Sequence, residues 1–221
     1  MKVVIFDAGV LINFSMNGML DVLRELKKKV DGKFIITKEV EYEIVQRPLT
    51  IKKYKLGALR LKSLIDDKIV EFPESIGINS KKISEIEQKI ISSANSTFYA
   101  GNKPLHLIDM GEASCLALSV ILNEKGIKNI IAIDERTTRM FFEKPENLKK
   151  LLEVKLHINI TLSPSTKQNN FKFIRSSELI YVAYKKGISN INKEMLDAML
   201  YSAKYKGSAV SSNEIKEIER M

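Results

Sequence analysis

IFDAGVLINF, residues 5–14, places a carboxylate at the end of a run of β-branched and aromatic residues. Val3, Val4, Ile5 and Phe6 precede Asp7, and that composition reads as a strand buried on both faces, as in the middle of a parallel sheet. A carboxylate that abuts such a strand is costly unless it is paired, hydrogen-bonded or bound to a metal. Capping of the next helix is the plain reading of Asp7; a site at the strand end is the other.

The pattern recurs. Residues 129–133, NIIAI, form a second buried-strand signal that ends in Asp134. Residues 33–36, KFII, make a shorter one, with Thr37 as N-cap of a helix expected over 38–46. Helices are expected over about 51–66, 80–95 and 110–124, the last stopped by Gly126, and over about 137–152 with a bend near Pro145. Residues 68–72 and 156–162 are weaker strand candidates. Strands alternating with helices imply an α/β fold with a central parallel sheet and helices on its faces. The polar, turn-rich SPSTKQNN at 163–170 reads as a linker between a core domain, 1–162, and a C-terminal helical extension, 171–221. The extension has helices near 176–186, 192–206 and 211–220, with Tyr181, Tyr184, Tyr201 and Tyr205 set among lysines.

With 221 residues, 44% of them hydrophobic, the chain can bury a sizeable core. No apolar run has the length of a membrane span, and the first residues lead straight into a strand pattern, so neither a span nor a leader is expected. Cys115 is the one cysteine; it lies in an apolar helical pattern and reads as core, and a reducing, cytoplasmic setting fits best. The net charge of +9 favours a polyanionic partner, without specificity.

The acids make the sharper pattern. In an open parallel sheet, ligands bind beyond the carboxyl ends of the strands. Asp7 and Asp134 each follow a buried strand, so two central, parallel strands would put both on one rim. Asp109 and Glu112, in IDMGEASCLALS at 108–119, have capping-box spacing at the start of a helix. Glu39, Glu41 and Glu43 crowd the helix TKEVEYEIV at 37–45, where Glu39 and Glu43 form a like-charge i,i+4 pair costing roughly 0.2–0.5 kcal/mol on an isolated helix. Acids near positions 7, 43, 112 and 134 suit a hard cation such as Mg²⁺ or Mn²⁺. His106 and His157 have no cysteine partners at zinc spacing, and there is no GxGxxG, P-loop or GxSxG. VIFDAG prompts comparison with haloacid-dehalogenase-type phosphatases, whose chemistry needs an aspartate where Gly9 stands.

Taken in order, VVIFDAGVLI, KEVEYEIV, DMGEASCLAL and IIAIDERTTRMF resemble the PIN domain over about residues 1–160. The C-terminal helices are similar to those of archaeal-type PIN proteins. The resemblance implies a three-layer α/β/α nuclease fold and a metal-dependent ribonuclease that hydrolyses RNA phosphodiester bonds. It assigns Asp7, Glu43, Glu112 and Asp134 as the catalytic, metal-binding acids, with Mg²⁺ or Mn²⁺ as cofactor and RNA as partner. A homodimer, and an antitoxin or RNA-processing partner, are further expectations from the family. Ala8 and Gly9 stand where many PIN domains have a hydroxyl residue followed by Asn or Ser. That departure keeps a second reading open, a PIN-like module that binds RNA or protein without cutting. Arg136, Arg139 and the lysines of residues 51–62 are candidate phosphate contacts, or ordinary surface cations.

Overall fold

A computed structural model describes residues 1–163, 170–188 and 191–220. The chain begins with β1 (Lys2–Phe6), α1 (Ala8–Met16), α2 (Leu20–Lys29) and β2 (Lys33–Ile35). Then α3 (Lys38–Glu41) runs through a π-helical turn, Tyr42–Gln46, into the short α4 (Arg47–Leu49), followed by α5 (Lys55–Asp66) and α6 (Ser80–Ala94). β3 (Phe98–Ala100) and β4 (Lys103–Pro104) precede α7 (Met110–Glu124), β5 (Lys128–Ala132), α8 (Arg136–Glu143), α9 (Pro145–Leu156) and β6 (Ile160–Leu162). The last elements are β7 (Phe173–Ile174), α10 (Ser176–Lys185), α11 (Lys193–Tyr205) and α12 (Ser212–Arg220).

The fold is α/β. A parallel four-stranded sheet has the order β2-β1-β5-β7, and a small antiparallel sheet has the order β4-β3-β6. β1 is central, pairing Ile5 with Ile35 on one side and with Ile131 on the other. Val3, Ile5, Phe6, Ile131 and Ala132 are buried, as the unbroken apolar runs require. α7 is apolar nearly all round and is held between β1, β5 and α6. Cys115 lies on it, fully buried, with Sγ 3.7 Å from the Phe6 carbonyl oxygen, which makes it a core residue. No helix among the described residues is long and apolar enough to cross a membrane.

Several elements differ from the sequence-based expectation. The helix expected over 137–152 is two, α8 and α9, because Pro145 takes the first position of a new helix and Lys144 leaves the helical region. The strand candidate at 68–72 is reduced to one parallel bridge between Glu71 and Ile35; Pro73 then opens a 3₁₀ turn. Residue 156 still belongs to α9, which ends at His157 in the left-handed region, and only 160–162 are extended. Of the linker expected at 163–170, residues 164–169 lie outside the described residues. The segment beyond it is not helical alone. Before α10 it supplies the edge strand β7; the carbonyls of Lys172, just before it, and of Ile174 accept the Ile131 and Ile133 N–H groups at 2.9 Å. Those buried donors would otherwise be unpaired.

Candidate functional site

β1 and β5 are adjacent and parallel, with Phe6 opposite Ala132, so both strands discharge the chain onto the same rim. The Asp7 N–H donates to the Ala132 carbonyl at 2.9 Å, which extends the ladder by one residue and fixes Asp7 at the strand end. Asp7 then caps α1: its Oδ2 accepts from the Gly9 N–H at 3.1 Å. Asp134 lies on the same rim, beyond Ile133. A cleft of about 310 Å³ opens there, lined by Asp7, Ala8, Gly9, Ile12, Glu43, Asp109, Glu112, Asp134, Glu135, Lys206 and Gly207.

All four expected acids line this one cleft. Glu43 comes from the π-helical turn after α3, a local widening of the helix that often marks functional positions. Its carboxylate sits over the first turn of α7, where the Gly111 N–H donates to it. A Cβ at Gly111 would stand 2.5 Å from Glu43 Oε1, so the glycine of the GEA motif makes room for that carboxylate. Glu112 has the expected capping-box contact, accepting from the Asp109 N–H at 3.1 Å. Glu39 and Glu41 do not line the cleft, and Glu41 accepts from Gln46 instead. Capping and cleft-lining thus coincide in Asp7 and Glu112.

Burial holds the Asp7 carboxyl up at about 7, with the charges of Glu43 and Asp134 adding to it and the Gly9 and Ala8 amides opposing. Glu112 is pushed up to about 8, first by burial and then by Asp7. Glu43 is raised by burial and by Asp109. Each of these shifts is relieved by a positive charge placed among the carboxylates.

Asp134 is held differently. It is 4% exposed, and its oxygens accept three protein donors. Oδ1 takes the Ser176 N–H at 2.9 Å, and Oδ2 takes the Ser176 hydroxyl at 2.5 Å and Asn13 Nδ2 at 3.2 Å. An ionised carboxylate has about four acceptor sites, so about one is left. With Asp7 turned to Gly9, Glu112 to Asp109 and Asp134 to Ser176 and Asn13, no three His, Cys, Asp or Glu side chains among the described residues form a ready-made metal-binding group.

Glu135 was not expected in the site; it caps α8 through the Thr137 N–H and lines the cleft as well. Lys206 and Gly207, beyond α11, carry no local signal that would place them in the same cleft as Asp7. Arg136 and Arg139 do not line the cleft. Arg139 Nη2 points to the Ala209 carbonyl at 3.4 Å. In the basic stretch 51–62, Lys53 lies over the Tyr54 ring at 5.2 Å, and Lys52, Lys53 and Lys55 are exposed. No protein-family model and no curated protein matches the chain.

Proposed function

We propose that this chain is a Mg²⁺- or Mn²⁺-dependent ribonuclease of the PIN type, with the three-layer α/β/α arrangement that the family implies. The observation that carries the reading is the convergence of Asp7, Glu43, Glu112 and Asp134 on one cleft at the carboxyl ends of adjacent parallel strands. The donor set fits a hard cation. It is all carboxylate oxygen, no histidine or thiol among the described residues lines the cleft, and burial and mutual repulsion favour an added positive charge. Asp7 and Asp134 would hold the ion from fixed strand ends, and Glu43 and Glu112 would complete the set directly or through water. When bound, such an ion polarises a phosphate oxygen and lowers the pKa of a bound water. The chain's own part is orientation. The Gly9 N–H fixes the Asp7 carboxylate, Asn13 and Ser176 fix that of Asp134, and Gly111 leaves space for that of Glu43. The net charge of +9 supports a polyanionic substrate.

A second reading, a PIN-like module that binds RNA or a protein without cutting, is favoured by two features. Donors of the chain itself occupy most of the Asp134 carboxylate, and Ala8 offers no hydroxyl beside Asp7.

Incubation with end-labelled single-stranded and structured RNA, in Mn²⁺, Mg²⁺ and EDTA, separates the two. The nuclease reading expects cleavage in either metal, none in EDTA, and none by a folded Asp7→Asn, Asp134→Asn variant. RNA binding without cleavage, unchanged by EDTA and by the substitutions, would overturn it in favour of the second reading.

A further inference from the structure

The cleft is lined by six carboxylates, Asp7, Glu43, Asp109, Glu112, Asp134 and Glu135, and by a single cation among the described residues, Lys206. A phosphodiester entering such a cleft meets strong repulsion, which a cation at its wall reduces. Lys206 is exposed and has no carboxylate within 4.0 Å among the described residues, so its ammonium is not committed to an ion pair. Its neighbour Lys204, by contrast, donates to Ser212 at 2.6 Å and lies over the Tyr201 and Tyr205 rings.

The position of Lys206 is built. It ends α11, where Gly207, at φ +113°, turns the chain and the Ser208 N–H closes back on the Ala203 carbonyl at 3.0 Å. The same carbonyl accepts Asn13 Nδ2 at 3.0 Å. Asn13 is 1% exposed, and that same amide nitrogen also donates to Asp134 Oδ2. One buried amide therefore ties the end of α11 to the acid at the end of β5, and so seats Lys206 in the wall of the cleft. Beyond it, Arg175 donates to the Ala209 carbonyl at 3.0 Å and to Glu214 at 2.8 Å, which anchors the segment that follows.

Resting on the ribonuclease reading, we propose that Lys206 contacts a phosphate of the RNA strand in the acidic cleft, and that Asn13 is the positioning residue that holds it there. The C-terminal segment thereby supplies the substrate-facing cation of a site whose acids come from the rest of the chain.

The test uses the full chain with Lys206→Gln and Lys206→Arg. Affinity for a fluorescent single-stranded RNA is measured over a KCl series with Ca²⁺ in place of Mg²⁺, and kcat/KM is measured in Mn²⁺. Loss of one phosphate contact on a single strand lowers the slope of log K against log salt by about 0.7. The expected result for Lys206→Gln is that drop together with a roughly tenfold fall in kcat/KM, while Lys206→Arg stays within about twofold of wild type. Cleaving wild type with an unchanged slope and rate in Lys206→Gln would overturn the assignment and leave the nuclease reading standing. Faster cleavage by Lys206→Gln would also overturn it, because the lysine would then be shielding the cleft. Wild-type chain that neither binds nor cleaves RNA overturns the nuclease reading and this assignment with it.

Discussion

Glu87 lies on the buried face of α6 with 1% of its surface exposed, and its Oε2 has no hydrogen-bond partner among the described residues. Burial, and then the charge of Glu39, push its carboxyl up from 4.5 to about 7. The folded chain therefore holds a proton at Glu87 over a range where the unfolded chain has released it. The sign follows: this group's contribution to stability is fully present below about pH 4.5 and is lost as the pH rises through about 7. Glu87→Gln removes the titration while keeping the shape. Thermal melts should show the variant roughly 2–4 °C above wild type at pH 8 and level with it at pH 4.5; an equal shift at both pH values would contradict the assignment. Spacing in the expected helix 80–95 puts position 87 on the apolar stripe of Ile83, Ile90 and Ala94, but the missing partner of its Oε2 depends on how α6 packs in the fold and had no local signal. Asp7 was legible for the opposite reason, since the strand that buries it is written in the four residues before it.

Elements whose ends are set by local chemistry were the most legible. α7 runs over 110–124 as expected, because the Asp109–Glu112 pair starts it and Gly126, at φ +68°, ends it. β7 was not legible. Its two residues follow a polar stretch and carry too little pattern to mark a strand; they are extended because β5 needs a partner on its free side. The π-helical turn at Tyr42–Gln46 was hidden as well, since the V-x-x-E spacing fits a regular helix equally. That turn meets α7 where Gly111 faces Glu43. Gly111→Ala drives a Cβ into the space of the Glu43 carboxylate, and the carboxylate, at the end of a flexible side chain, gives way. On the proposed ribonuclease reading, the variant should lose roughly tenfold in the rate of metal-dependent RNA cleavage. Its melting temperature should hold, because alanine is favoured over glycine in a helix by up to about 1 kcal/mol. Full activity would mean that Glu43 does no work in the site.

At the scale of the molecule, several polar contacts of the cleft run between residues of the expected core, 1–162, and of the expected extension, 171–221. Strand β7 joins the parallel sheet, Ser176 holds both oxygens of Asp134, and the carbonyl of Ala203 is bound by Asn13. Sequence patterns report what each segment prefers and not which distant donor will satisfy a buried carboxylate, so the acids of the cleft could be named and the partners that orient them could not. The proposed reading requires those partners to leave the acids able to share one cation. Manganese titration followed by electron paramagnetic resonance asks this directly, because the signal of the free aqueous ion is lost on binding. The expected result is saturable binding by the wild-type chain, competed by Mg²⁺ and weakened about tenfold or more by Asp7→Asn or Asp134→Asn in folded protein. Binding that is absent in wild type, or indifferent to both substitutions, would contradict a metal centre in the cleft.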